Sequence, residues 1–372
     1  MMADSLRVLI APDSFKGSMT AAEASHSIAE GWARRRPYDE LALLPQADGG
    51  EGTAEALLTA HPGARWMEAG KVAGPDGRPV NGRWLRLPDG TAVVELAQMN
   101  GITLMQTLQP GIASTRGFGE VIRAALDDGA GRLVLCLGGS ASNDGGSGAL
   151  AALGAVLVDG DGRAIPDGAD GLHALVSVDL GAACASPPGG VLVLSDVVAP
   201  LLGDAGATAV FGPQKGIGED ERQRFEAGLT RLATLLEVDA TLPGMGAAGG
   251  TAFGLSALWN LRLTSGATFV SEATGLSVAA ADADVLITGE GCFDGQSTTG
   301  KVVGHCVGLA EAHGLRLGIV AGSVRASVDG WAADLTELAG SVGAAMAEPQ
   351  RYAVVAGSAL ANEMTRAIRP ER

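Results

Sequence analysis

The chain has 372 residues, and its 26 basic against 42 acidic side chains leave a net charge of −16, which excludes a general binder of nucleic acid or anionic membrane. Hydrophobic residues make up 47% and charged residues 18%, which excludes a disordered chain. The length exceeds the ~250–300 residues at which a single core stops growing, so two domains are expected.

Residues 6–11 form a continuous apolar run that stops at Pro12-Asp13-Ser14, the pattern of a buried strand rather than a signal peptide. Thr20-Ala-Ala-Glu23 is a capping box opening a helix that runs to about Arg36. A second buried strand is expected over 41–44 and a second helix over 52–60. From His61 to about Leu104 the period shortens to two, with turn signals at Pro75-Asp76-Gly77 and Pro88-Asp89-Gly90, which predicts hairpins. Helix and strand then alternate again: a helix over 117–128, a strand over 133–137, a helix from Gly145, a strand over 191–194 and a helix over 219–236. Strands over 283–288 and 317–321, with helices over 301–313 and 352–368, close the chain.

This alternation predicts parallel sheets covered by helices. The first two and last two strands can complete one open sheet, so the expected fold is α/β with two domains. Residues 1–62 and 282–372 form a discontinuous doubly wound domain of Rossmann or flavodoxin type, and residues 63–281 form a larger inserted α/β domain.

In such sheets ligands bind beyond the carboxyl ends of strands, and the residues found there are unusually polar. They are Asp13, Ser14 and Lys16 after the first strand, and Asp48-Gly49-Gly50-Glu51 after the second. Gly138-Gly139-Ser140-Ala141-Ser142-Asn143-Asp144-Gly145-Gly146 follows the strand at 133–137, and Ser195-Asp196 follows the strand at 191–194. The strand at 283–288 is followed by Gly289-Glu290-Gly291-Cys292-Phe293-Asp294. Asp-Gly and Gly-Gly pairs also make plain turns. Five loops that each combine glycine with a carboxylate point further, to phosphate groups met by backbone N–H donors and a metal ion. Lys16 and Lys215, the latter in a Pro/Gly-rich loop of a lysine-poor chain, are the candidate cations.

Other motifs carry less. Gly295-Gln-Ser-Thr-Thr-Gly300-Lys301 has the spacing of a P-loop, but Val302 stands where that loop needs Ser or Thr. Gly244-Met-Gly246-Ala-Ala-Gly249 follows Pro243 rather than a strand, which is weak support for a dinucleotide site. No G-x-S-x-G elbow occurs, and His26 and His305 fall on helical stretches. Cys136, Cys184, Cys292 and Cys306 show no C-x-x-C pair, which predicts free thiols in a reducing cytoplasm. The longest apolar stretches, such as 149–158, are too short to span a bilayer.

Together the blocks APDSFKGSMTAAEA (11–24), ADGGEGT (47–53), GGSASNDGGSGAL (138–150), PLLGDAGATAVFGPQKG (200–216), GAAGG (246–250) and ITGEGCFDGQSTTGK (287–301) resemble the bacterial glycerate kinase family of type I, the glycerate 2-kinases. The blocks keep the family's order over nearly the whole chain. The resemblance implies ATP- and Mg2+-dependent phosphorylation of D-glycerate to 2-phosphoglycerate, and two α/β domains with the active site in the cleft between them. Two departures stand out: Ala199 replaces an amide in Ser195-Asp-Val-Val-Ala-Pro-Leu201, and Cys292 replaces the usual Arg.

Phosphoryl transfer to a hydroxyl needs a base, a cation and a metal. Asp196 is the expected base and Lys16 the cation at the transferring group. Asp13, Ser14, Asp48, Glu290 and Asp294 are expected at the substrate, and Asp48, Glu51 and Asp294 at magnesium. Gly138, Gly139, Ser140, Asn143, Asp144, Gly145, Gly146 and Lys215 are expected at the phosphates of ATP. A kinase acting on the 3-hydroxyl or on another small hydroxy acid is the alternative, and a non-catalytic ligand sensor of the same fold ranks below it. D-Glycerate and ATP are the expected partners, with no nucleic acid or membrane, for a cytoplasmic monomer or homodimer.

Overall fold

A computed structural model describes residues 5–295, 297 and 301–368. The strands are β1 (Arg7–Ile10), β2 (Glu40–Leu43), β3 (Arg65–Ala73), β4 (Pro79–Arg86), β5 (Thr91–Glu95), β6 (Arg132–Cys136), β7 (Val156–Val158), β8 (Ser177–Asp179), β9 (Val191–Leu194), β10 (Leu261–Thr264), β11 (Val285–Phe293), β12 (Arg316–Val324) and β13 (Trp331–Asp334). The fold is α/β, and its contacts divide the chain into two compact units: Met1–Asp48, Glu55–Ala60 and Gly266–Arg372 in the first, Gly49–Ala54 and His61–Ser265 in the second. The returning segment is grouped with the first unit from Gly266, because Val270 of helix Gly266–Ala273 packs on Ala47 and Ala56.

The first unit holds a five-stranded sheet in the order β13-β12-β11-β1-β2, with every neighbouring pair parallel. Successive residues of its apolar strands alternate between two cores. Val8, Ile10, Val285 and Ile287 pack with Ile28 and Trp32 of helix Ala21–Ala33 and Leu360 of helix Pro349–Ile368. Leu9, Leu286 and Ile319 pack with Val303, Cys306 and Ala310 of helix Val302–His313. Helix Ala21–Ala33 opens with the expected capping box, Thr20 and Glu23 exchanging hydrogen bonds of 2.8 and 3.2 Å. From β1 the chain moves to β2 on one side and later returns as β11 on the other, so the topological switch point lies between β1 and β11.

One boundary is corrected here. The strand expected to end at residue 288 continues as β11 to Phe293, in register with β12 as far as Val324. Gly289 and Gly291 do not turn the chain. A Cβ on Gly289 would lie 2.0 Å from the Val320 carbonyl oxygen, and one on Gly322 would lie 2.4 Å from that of Gly291. The glycines permit close approach between strands, and Glu290 belongs to β11 rather than to a loop after it. The P-loop-like segment therefore begins two residues after the strand, and its positions 296 and 298–300 lie outside the described residues.

The second unit holds a six-stranded sheet, β10-β9-β6-β5-β4-β3, and a separate β7-β8 pair. β5, β6, β9 and β10 run parallel, while β3, β4 and β5 form the expected antiparallel meander with Gly77 and Gly90 in the left-handed region at its turns. Leu133, Leu135 and Val193 meet Phe118 and Ile122 of helix Arg116–Asp127 and Leu255 of helix Ala247–Leu258. Helix Arg222–Leu236 contributes Leu229 and Leu232 to a second core with Leu150 and Phe253. Among the described residues no helix is long and apolar enough to cross a membrane, and all four cysteines are free thiols.

Candidate active site

In the first unit the switch point gathers carboxylates. Asp13 follows β1, and its N–H donates to the Gly289 carbonyl of β11 at 2.8 Å, which places it beside Glu290. Its Oδ1 accepts the Ser14 N–H at 2.6 Å. Burial, reinforced by the charges of Asp48 and Glu290, pushes the Asp13 carboxyl up to about 8. Burial also raises Glu290, with Asp294 and Asp48 adding to the shift while Ser297 and Lys301 oppose it. Glu290 Oε1 is buried and meets no hydrogen-bond partner among the described residues. The Asp294 N–H donates to Ser297 Oγ at 2.9 Å, and Ser323 Oγ donates to Cys292 Sγ at 3.4 Å.

Two other expected residues are exposed. Lys16 is exposed on the turn between Phe15 and Met19, although its backbone lies against Gly291. Glu51 is exposed on a segment grouped with the second unit. Among the described residues no group of three or more His, Cys, Asp or Glu side chains is placed to hold a metal ion; of the expected set, Asp48 and Asp294 belong to the first unit and Glu51 to the second. Glu51 follows two glycines, and the chain changes unit there.

In the second unit the carboxyl ends of β5, β6 and β9 carry Glu95, the loop 138–146 and Asp196 on adjacent strands. The loop is built on backbone contact. Gly145 donates to the Gly249 carbonyl at 2.9 Å, and a Cβ on Gly249 would lie 2.1 Å from the Ser142 oxygen. To make this fit, Ala248, Gly249 and Gly250 at the start of helix Ala247–Leu258 all take positive φ, a conformation that glycine adopts without strain. Ser142, Asn143 and Asp144 are fully buried, and among the described residues nothing accepts their three consecutive backbone N–H groups. Buried N–H groups are rarely left unpaired, so these three are candidates for an acceptor that the chain itself does not supply.

The side chains of the loop face other duties. Asp144 is buried, and its carboxylate accepts from Thr115 N–H and Oγ1 and from the N–H groups of Gly146 and Gly148, at 2.8–3.3 Å. Burial raises it while these donors hold it down. All its acceptor capacity faces the protein, which leaves the Asp144 backbone N–H, and not its carboxylate, for a phosphate. Lys215 is only 3% exposed and donates to the Ser142 carbonyl and, at 3.4 Å, to Ser140 Oγ. Burial brings its ammonium down to about 8, against the charge of Asp144. Asn143 Nδ2 donates to Thr208 Oγ1 at 3.0 Å.

Asp196 is exposed just beyond β9, and the neighbouring Ala199 carbonyl accepts the Gly246 N–H at 2.9 Å, a bond that needs no particular side chain at 199. Two residues escaped the sequence reading. Glu95 ends β5 and accepts the Ala54 N–H at 2.6 Å, at the start of helix Thr53–Ala60. Its only signal was an acidic residue closing an apolar run. Thr115, signalled by Ser114-Thr115 ahead of a helix, holds Asp144.

The sequence profile of the glycerate kinase family matches residues 8–369. Glycerate 2-kinase of Escherichia coli (strain K12) is 39% identical over 309 residues, covering 80% of each chain. Glycerate kinase of Bacillus subtilis (strain 168) is 41% identical over 316 residues, covering 82% of this chain and 81% of its own. A crystal structure from Salmonella typhimurium LT2, described as a glycerate kinase 2, superposes with a TM-score of 0.80 at 33% identity, covering 98% of this chain and 99% of that one. A profile match across both compact units, with relatives near 40% identity and a shared fold over the full length, makes this chain a member of the glycerate kinase family.

Proposed function

We propose that this chain transfers the γ-phosphoryl group of ATP to the 2-hydroxyl of D-glycerate, giving 2-phosphoglycerate and ADP in the cytoplasm. Within the family, the observation that carries this reading is the run of unpaired, buried N–H groups at Ser142, Asn143 and Asp144 on the loop after β6, with the exposed carboxylate of Asp196 following the neighbouring strand β9. In this reading, the loop from Gly138 to Gly146 lies at the phosphates, its unpaired N–H groups at Ser142, Asn143 and Asp144 hold phosphate oxygens while those of Gly145 and Gly146 brace the loop on Gly249 and Asp144, and Lys215 stands behind them. Asp196 takes the hydroxyl proton as the phosphoryl group arrives. Lys16 brings positive charge to the transferring group. Asp13 and Ser14 orient the substrate.

Magnesium would supply charge neutralisation at the phosphates. The crowding of Asp13, Asp48 and Glu290, with the unpartnered Glu290 Oε1, suits a cation, and two of the expected ligands, Asp48 and Asp294, are proposed to hold it. A second reading, a kinase for another small hydroxy acid, draws on Cys292: its sulfur accepts a hydrogen bond from Ser323 in place of the cation that Arg would bring. Phosphorus NMR of the products formed from D-glycerate, ATP and magnesium tests both. A 2-phosphoglycerate resonance is expected. Formation of 3-phosphoglycerate would overturn the regiochemistry, and turnover only with other hydroxy acids would favour the second reading.

A further inference from the structure

Lys215 presents a problem that the proposed reaction does not solve by itself. A fully buried ammonium is costly unless its donors are satisfied, yet Lys215 makes no ion pair within 4.0 Å among the described residues. Asp144, the carboxylate whose charge it feels, has its oxygens filled by Thr115, Gly146 and Gly148. The donors of Lys215 go instead to the Ser142 carbonyl and the Ser140 hydroxyl. That carbonyl belongs to the same peptide plane as the Asn143 N–H. No peptide bond among the described residues is cis, and in a trans peptide the C=O and the following N–H point in opposite directions. Fixing one fixes the other. The Ser142 oxygen is also bounded by the Gly249 backbone, where even a Cβ would lie 2.1 Å away, so the peptide cannot be turned without breaking the Lys215 bond.

We infer that Lys215 is a positioning residue: its ammonium holds the Ser142–Asn143 peptide so that the Asn143 N–H is presented to a phosphate oxygen, and it does not itself touch the nucleotide. The inference rests on the reading of loop 138–146 as the phosphate-binding element. It replaces a direct contact from Lys215 by one acting through a backbone donor. The lysine stem reaches the loop from the short turn Pro213–Lys215, which ends at Gly216 in the left-handed region.

Two measurements on the full-length protein test it. In a crystal structure with magnesium and a non-hydrolysable ATP analogue, the Asn143 N–H is expected to meet a phosphate oxygen while Lys215 Nζ stays on the Ser142 carbonyl, beyond hydrogen-bond reach of every phosphate. A direct Lys215–phosphate contact would overturn the positioning role and leave the loop assignment standing. Phosphates bound away from the loop would overturn the loop assignment itself. In steady-state kinetics, Lys215→Met is expected to raise KM for ATP by about 10- to 100-fold, the worth of one charge-assisted hydrogen bond, with KM for D-glycerate little changed. Lys215→Arg, which can still donate to the carbonyl, should recover part of the loss. Wild-type KM for ATP in Lys215→Met would sink the inference, and if that variant does not fold, the wild-type complex decides.

Discussion

Thr115 and Asp144 are joined twice: the N–H and the hydroxyl of Thr115 both reach Asp144 Oδ2, at 2.9 and 2.8 Å, while Thr115 Oγ1 also accepts the Ala149 N–H at 2.9 Å. This node ties helix Arg116–Asp127 to helix Ser147–Ala152 and anchors the end of the loop. Asp144→Ala leaves several buried donors without an acceptor and is expected to cost about 3–5 kcal/mol, with Thr115→Val costing about 1–3 kcal/mol. Urea denaturation measures both, and an unchanged midpoint in Asp144→Ala would remove the structural role.

The Asp13 carboxyl makes stability depend on pH. Its folded pKa of about 8 lies above the ordinary value of 3.8, so the folded state binds the proton more tightly. The protein therefore loses stability as pH rises from about 4 through about 8. Asp13→Asn removes this dependence. In metal-free buffer the wild-type melting temperature should fall relative to that of the variant between pH about 5 and about 8, by roughly 2–4 °C per kcal/mol. Parallel profiles would contradict the assignment.

Asp196 is exposed, so Asp196→Asn should fold normally. If it is the base, kcat falls by ~10²-fold or more with little change in either KM. Lys16→Met, also at an exposed site, should lower kcat, and a loss confined to KM for ATP would mark Lys16 as a binding residue instead.

The left-handed run at Ala248, Gly249 and Gly250 offers opposite tests at neighbouring positions. Ala248, at φ 53°, pays for a conformation that glycine adopts freely, so Ala248→Gly should be neutral or stabilising by up to about 1 kcal/mol. Gly249→Ala drives a methyl onto the Ser142 oxygen and should destabilise by about 3 kcal/mol or more while weakening ATP binding. Equal stability of Gly249→Ala and wild type in urea would show that the loop does not depend on this contact.

Much of the frame was legible from residue order. The apolar run stopped by Pro12, the Thr20–Glu23 capping box and the turns at Gly77 and Gly90 are local signals, and each produced the expected element. Strands β10 and β13 were not expected, because short strands with few buried residues carry little periodic signal. Gly289 and Gly291 misled, since a glycine required for close approach between strands looks the same in sequence as one required for a turn.

The sequence by itself determined which loops carry carboxylates, glycines and lysines, because those residues follow apolar strands in an α/β pattern that local propensity and hydrophobic period decide. Tertiary structure alone decided what each side chain does. Lys215 lies 75 positions from Ser140 and Asp144 lies 29 from Thr115, so only folding could bury the lysine behind the loop and saturate the aspartate. Charge, burial and hydrogen-bond partnership depend on neighbours in space, and for these residues the neighbours come from strands and helices far apart in the chain.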